Sequence, residues 1–229
     1  LTFDYQTPFS TAGAEDQSVR VLIEDYDGFT PLQVVKNGPG GVNNFDQLNT
    51  YSGGTILSGG NLTVREAGAS FGTGPIRLSV AIGNESGRLR NRSTSLLTIT
   101  NDVVVAVSDA SLEPYSAPIR LAGLFDFNGG GSFQKAGPDE LIFAGTTQES
   151  GSYKLNIRNG SVRMADGCRF LITSSARDTI YLADGATVPR FFTVDAGAEV
   201  LAGGLYTGSA PSNTVVVNGG SLTLAGGGS

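Results

Sequence analysis

The sequence contains no histidine and only one cysteine, and charged residues make up just 16% of its 229 residues. Without histidine, a Ser-His-Asp triad is excluded. The single Cys168 cannot form an internal disulfide, and we expect it to be a small buried side chain. Metal sites need clustered histidines, cysteines or carboxylates, and the sequence offers no such cluster. We therefore expect no metal, no cofactor and no enzymatic activity.

Basic surfaces and long apolar runs are also missing. The formal net charge is −6 and the sequence pI is about 4.6, whereas a nucleic-acid-binding domain normally carries a basic face. No apolar run approaches the ~20 residues that cross a bilayer as a helix, and the first residues do not have the pattern of a signal peptide. We expect no nucleic-acid partner and no membrane insertion by this segment.

Glycine is abundant instead, with 33 residues, and it separates short runs in which apolar residues alternate with polar ones. Glycine weakens helices, while a period of two is typical of strands with one buried face. The pattern predicts an all-β protein whose alternate side chains fill a core. The clearest same-face pairs are Leu141 and Phe143, Leu155 and Ile157, Val162 and Met164, Phe170 and Ile172, Ile180 and Leu182, and Leu222 and Leu224.

Internal similarity favours a repetitive fold. The segments Tyr51–Val64, Ser150–Met164 and Thr214–Leu224 each consist of a strand, a glycine-containing corner and a second alternating strand. Such a link could also close a β-hairpin. The repetition favours coils of a solenoid, in which glycine turns the corner with a positive φ.

One of these segments carries a family resemblance. Tyr51–Val64 reads YSGGTILSGGNLTV, and the sequence FGTGP follows at Phe71–Pro75. It resembles the passenger-associated transport repeat, also called the autotransporter-associated β-strand repeat; a diverged copy spans Gly129–Val162 and a partial one spans Val217–Leu224. The resemblance implies a right-handed parallel β-helix (a β-solenoid) that is secreted or displayed on a bacterial cell surface.

The expected organisation has two parts. Residues 1–48 would form an N-terminal cap or a less regular β region, with strand-like runs at Ser18–Glu24 and Leu32–Lys36. Residues 49–229 would form the parallel β-helix. With ~22 residues per coil and strands ~4.8 Å apart, we expect about ten coils in a rod of ~45–50 Å. Its open ends suggest a fragment of a longer rod.

The candidate functional residues are aromatic and basic. Tyr51, Tyr153, Tyr181 and Tyr206 are expected to be partly exposed, where a sugar could stack on them, and Arg88, Arg90 and Arg92 are expected in a loop that contacts a partner. By contrast, we expect Phe143, Phe170 and Phe192 to stack inside the core.

Three functions remain open, and the third is the stalk of a protease-bearing passenger. The first is a structural or adhesive segment whose partners are host or neighbouring-cell glycans or proteins, or further copies of itself. The alternative is a polysaccharide-active β-helix enzyme, either a lyase or a tailspike-like depolymerase. It would use Asp139, Glu140 and Lys135 beside Arg158 and Arg163.

Overall fold

The structure is a computed structural model, and it describes residues 22–25, 30–37, 41–42, 45–79, 87–128, 131–149, 153–172, 179–182, 188–208 and 212–225. Within these ranges the chain forms 25 short β-strands and no helix. All the pairings between these strands are parallel.

The strands form three large sheets and two small ones. The first sheet contains β1 (Val34–Asn37), β4 (Thr55–Ser58), β7 (Ile76–Leu78), β10 (Val103–Val105), β13 (Phe125–Phe127) and β16 (Thr147–Glu149). The eight-stranded long sheet contains β2 (Gly41–Val42), β5 (Asn61–Val64), β8 (Arg88–Asn91), β11 (Ser111–Pro114), β14 (Gly131–Lys135), β17 (Tyr153–Ile157), β20 (Thr179–Leu182) and β23 (Gly204–Tyr206). The third sheet contains β9 (Leu97–Ile99), β12 (Ile119–Leu121), β15 (Glu140–Phe143), β18 (Ser161–Met164), β21 (Phe191–Val194) and β24 (Thr214–Val217). The small sheets are β19 (Arg169–Ile172), β22 (Glu199–Ala202) and β25 (Ser221–Leu224), and the pair β3 (Leu48–Asn49) and β6 (Ser70–Phe71).

Strands that follow one another along the chain lie in different sheets, and each sheet takes every third strand. β17 and β18 illustrate this order, because the Asn159-Gly160 link between them leads from the long sheet to the third sheet and closes no hairpin. Gly160 has φ +66°, the positive value expected of a glycine corner. The described residues therefore form a parallel β-solenoid of about 7 turns, which confirms the predicted fold class.

The register gives the length of each coil, meaning one passage of the chain through three successive strands. In the first sheet, Val103 pairs with Phe125 and Phe125 pairs with Thr147, so two successive coils have the same length, which is the expected one. Other coils are longer, as the pairing of Ile76 with Val103 shows in the first sheet. The expected coil length is confirmed. The described residues form about 7 coils, fewer than the ten expected of the whole chain, and coils longer than expected contribute to this difference.

The core is a column of inward-facing side chains that runs through the solenoid. Five of the six predicted same-face pairs are buried as expected, and the exception is the pair in β25, where Leu222 is half-buried and Leu224 is 45% exposed. No described strand pairs with β25 on its far side. The predicted core positions of Phe143, Phe170 and Phe192 are confirmed, since each is at most 1% exposed.

An aromatic cluster fills the middle of this column. The ring of Phe127 lies 4.8 Å from Phe125, 6.1 Å from both Phe133 and Phe170, and 4.3 Å from Tyr153, measured between centroids. These rings come from β13, β14, β17 and β19, so the cluster joins strands of three sheets. Burying one such ring stabilises the fold by about 1.5–3 kcal/mol.

The N-terminal region can be described only in part. Residues 18–21 of the first strand-like run lie outside the described residues, and Leu22–Glu24 are not in a strand. The second run lies around β1, which pairs with β4 as an ordinary strand of the first sheet. Solenoid strands therefore begin before residue 49.

Candidate functional site

Two of the four candidate tyrosines are buried, so the prediction that they are partly exposed is wrong. Tyr51 is fully buried, its hydroxyl lies 2.5 Å from Oγ1 of Thr55, and burial raises its pKa to about 12. Tyr153 is 1% exposed and its hydroxyl donates to the carbonyl oxygen of Val105 at 3.4 Å. Tyr153 shares the inward face of β17 with Leu155 and Ile157. A buried hydroxyl with a hydrogen-bond partner lets a tyrosine serve as a core residue, and both are core residues here.

The other two tyrosines lie on the outer surface of the long sheet. Tyr181 of β20 and Tyr206 of β23 are partners in the strand register. Their rings are stacked, with centroids 4.7 Å apart and planes within 2° of parallel. Tyr206 is 48% exposed and Tyr181 is half-buried. The equal spacing of parallel strands holds the two rings in contact.

Lys154 completes this arrangement. Its Nζ lies 4.1 Å from the centroid of the Tyr181 ring, within the range of a cation–π interaction. Lys154 lies one strand away, opposite Thr179, and reaches Tyr181 diagonally. We call Lys154, Tyr181 and Tyr206 the tyrosine strip. It presents a cation, two ring edges and two phenol groups on one outer surface.

Polar side chains continue the strip along the long sheet. Gln134, Asn156 and Tyr181 occupy the same register position on β14, β17 and β20. Ser132 lies beside Lys154 in the neighbouring position. Oγ of Ser132 and Nε2 of Gln134 donate to Oδ1 of Asp109 at 2.8 and 2.6 Å, so a carboxylate also lies among the polar groups that flank the aromatic pair.

The predicted arginine loop is wrong, because Arg88 and Arg90 lie in strand β8 of the long sheet. Leu89 between them is fully buried, so both arginines project outward. Nε of Arg90 donates to Oε2 of Glu113 on the next strand. Arg92 follows the strand, with its guanidinium carbon 4.8 Å from the centroid of the Tyr115 ring. Of the three arginines, Arg88 is the exposed one.

The residues proposed for the enzymatic alternative do not all lie on the surface. Lys135 is fully buried and points inward, and its Nζ donates to the carbonyl oxygens of Gly137 and Asn159, each at 2.6 Å, and of Asp139. Desolvation lowers the pKa of Lys135 to about 7, although the charges of Asp139 and Glu140 oppose this shift. The ammonium group therefore holds the turns at 137–139 and 159 together from inside the solenoid and does not face the surface.

The carboxylate of Glu140 lies on the outside. Its Oε2 lies 2.9 Å from Nη2 of Arg163. Burial raises the pKa of Glu140 above its usual value, and the charge of Arg163 opposes the rise. The side chain of Arg158 is exposed, and its backbone carbonyl accepts a hydrogen bond from Nε of Arg190 at 2.8 Å. Glu140 and Arg163 thus form an ion pair, whereas the hydrogen bonds of Lys135 go to backbone carbonyl oxygens.

The described residues contain no group of three or more His, Cys, Asp or Glu residues that could hold a metal ion. In the same part of the chain there is no helix with the length and apolarity to cross a membrane. Cys168 is fully buried, and desolvation raises its pKa to about 12, so the predicted buried position is confirmed.

Sequence reasoning missed Lys154, whose side chain meets Tyr181 only when neighbouring coils are aligned.

Comparison with protein-family models, curated proteins and solved structures finds no match for this chain. The candidate site therefore depends on the geometry of the outer surface of the long sheet.

Proposed function

We propose that this chain is a structural and adhesive segment of a secreted or cell-surface bacterial β-solenoid protein, similar to an autotransporter passenger. Its role would be attachment, matrix formation or fibre assembly, through glycans or proteins on host or neighbouring cells. The observation that carries the proposal is the tyrosine strip, in which two stacked rings and a lysine lie on the outside of the longest sheet. Exposed aromatic side chains beside polar groups are typical of binding surfaces.

The fold supports the same proposal. Each coil stacks on its neighbours through parallel strands, so outward side chains recur at regular intervals along a surface. The amides and hydroxyls of Gln134, Asn156 and Ser132 extend the strip in this way. Such a surface fits an extended ligand better than a small one.

A polysaccharide-active enzyme finds less support. Enzymes that hydrolyse glycosidic bonds commonly use two carboxyl groups about 5–9.5 Å apart beside the scissile bond. Of the proposed residues, Lys135 is turned into the core, and Glu140 is engaged with Arg163. No specific observation favours this alternative.

Binding of the labelled chain to glycan arrays and to intact bacterial or host cells tests the proposal. The double variant Tyr181→Ala/Tyr206→Ala should reduce binding, since it removes both rings of the strip. Tyr115→Ala is a matched control, because Tyr115 is 46% exposed but lies next to Arg92, outside the strip.

Self-association is measured in parallel by sedimentation, since the proposed role includes assembly with further copies. The proposal fails if the chain binds no glycan and no cell and remains monomeric at high concentration. It also fails if the chain cleaves a polysaccharide and Glu140→Gln abolishes this activity.

A further inference from the structure

We propose that Tyr181 and Tyr206 are a site of oxidative cross-linking, where a haem peroxidase and hydrogen peroxide from outside the chain join the two phenol rings as dityrosine. The new bond ties one coil of the solenoid covalently to the next. This inference goes beyond the proposed adhesive function and does not depend on it.

The two rings are held together by the register of their strands. Tyr181 on β20 lies opposite Tyr206 on β23, and the ring centroids are 4.7 Å apart with planes within 2° of parallel. Neighbouring strands are about 4.7–4.9 Å apart, so the two side chains leave the sheet side by side and stay in contact. Two reacting groups that are held in contact react without waiting for a chance encounter. The pair is therefore arranged to couple within one chain.

The pair is also open to an oxidant. Tyr206 is 48% exposed and Tyr181 is half-buried on the outer surface of the long sheet. Among the described residues, no strand pairs with β23 on its far side. The ring of Tyr206 therefore has room to tilt about its side-chain bonds and bring its edge to the edge of Tyr181.

Other side chains that oxidise readily are shielded in the described part of the chain. The sequence contains no tryptophan, no histidine, one methionine and one cysteine. Met164 and Cys168 are both 0% exposed, and oxidation of sulfur follows exposure. Of the other described tyrosines, Tyr51 and Tyr153 are buried, while Tyr115 is 46% exposed. An oxidant at this surface therefore meets phenol rings first, and two of them are already in contact.

The reaction balances with hydrogen peroxide as the oxidant. Each tyrosine loses one electron and its phenolic proton, which gives two tyrosyl radicals with the unpaired electron spread over the oxygen and the ortho carbons. The radicals form a carbon–carbon bond between one ortho carbon of each ring. Each of these carbons then gives up its hydrogen to the phenol oxygen, and both rings become aromatic again. The peroxide accepts two electrons and two protons, and its O–O bond breaks to give two water molecules.

Peptide mapping of the full chain after treatment with a haem peroxidase and hydrogen peroxide tests the inference. Trypsin, which cleaves after Arg177 and Arg190, places Tyr181 in the peptide 178–190 and Tyr206 in the peptide 191–229. We expect mass spectrometry to find these two peptides joined, with the loss of two hydrogen atoms. In a mixture of unlabelled and heavy-nitrogen-labelled chains, the joined peptides should be both light or both heavy, because the link forms within one chain.

Phenylalanine variants locate the link. Tyr181→Phe and Tyr206→Phe each keep the ring but remove the phenol group, so each should abolish the joined peptides. Tyr115→Phe is the matched control and should leave them unchanged. The oxidised chain should also unfold at a higher urea concentration than the untreated chain, because a cross-link restricts the unfolded state. Oxidised Tyr206→Phe should show no such increase.

The oxidant dose is one that converts free tyrosine to dityrosine in a parallel sample. Absence of the joined peptides at that dose overturns the inference, and so does a link that forms chiefly between light and heavy chains. Persistence of the link in Tyr181→Phe or Tyr206→Phe overturns it as well. The proposed adhesive function is judged separately, from binding of the untreated chain to glycans and cells.

Discussion

The corner at Gly160 allows a quantitative test of how closely neighbouring coils pack. Gly160 has φ +66°, and a Cβ added there would lie 2.3 Å from the carbonyl oxygen of Pro138 and 2.6 Å from Nζ of Lys135. Gly167 has a similar φ of +76°, but an added Cβ would meet no atom within 4 Å. Alanine at Gly167 therefore introduces backbone strain alone, whereas alanine at Gly160 also introduces a clash between coils.

The expected losses in the free energy of unfolding follow from the backbone strain and the clash between coils. The left-handed conformation costs an alanine roughly 1–2 kcal/mol, and the lower entropy of the unfolded chain offsets about 0.4–1 kcal/mol of this. Gly167→Ala should thus lower the free energy of unfolding by about 1 kcal/mol. Gly160→Ala should lower it by about 3–5 kcal/mol, because it also displaces Lys135 from its carbonyl partners, at about 1–1.5 kcal/mol per hydrogen bond.

Urea unfolding followed by far-UV circular dichroism measures these differences. Gly41→Ala is a further control, since Gly41 lies in β2 with open space around it and without a positive φ. It should leave the stability nearly unchanged. Equal losses for Gly160→Ala and Gly167→Ala would refute the argument, because the backbone of one coil would then not approach the next at this corner.

Three further predictions concern the interior. Phe127→Ala should lower the free energy of unfolding by about 3–5 kcal/mol. Phe191→Ala, at a residue that is 43% exposed, should change it by less than about 1 kcal/mol. Similar losses for the two variants in urea unfolding would contradict the aromatic cluster. Burial lowers the pKa of Lys135 from 10.5 to about 7, so the unfolded chain binds more protons across that window. The stability of the unsubstituted chain should then rise from about pH 7 to about pH 10 relative to Lys135→Met, and a fall in stability would contradict the lowered pKa. The Cys168 thiol, buried and with its pKa raised to about 12, should react with iodoacetamide only after denaturation; rapid labelling of the native chain, followed by mass spectrometry, would contradict its burial.

Much of the fold could be predicted from the sequence, because apolar and polar residues alternate along each strand and so show which side chains face inward. Leu155 and Ile157 alternate with polar residues, and the strand that contains them buries both. The same alternation places Tyr153 inside with them. On β20 it places Tyr181 outside, between the buried Ile180 and Leu182. The sequence thus held the signal that separates the buried tyrosine from the surface one.

The meeting of side chains from different coils could not be predicted in the same way. Along the chain, the step from Tyr181 to its partner Tyr206 is longer than the step from Val103 to its partner Phe125. A uniform period would misalign the two tyrosines, and it would also separate Lys154 from Tyr181. The register depends on how many residues each corner adds, and the average period does not contain that information.

The direction of the hydrogen bonds between coils has a mechanical consequence. In a parallel stack these bonds point from strand to strand, so they lie along the long direction of the solenoid. A pull along that direction loads the coils in series, and the weakest coil gives way first. A released coil of about 22 residues would extend to about 75 Å, at roughly 3.3–3.6 Å per residue. A solenoid pulled in this direction would lengthen stepwise while its remaining coils stay folded.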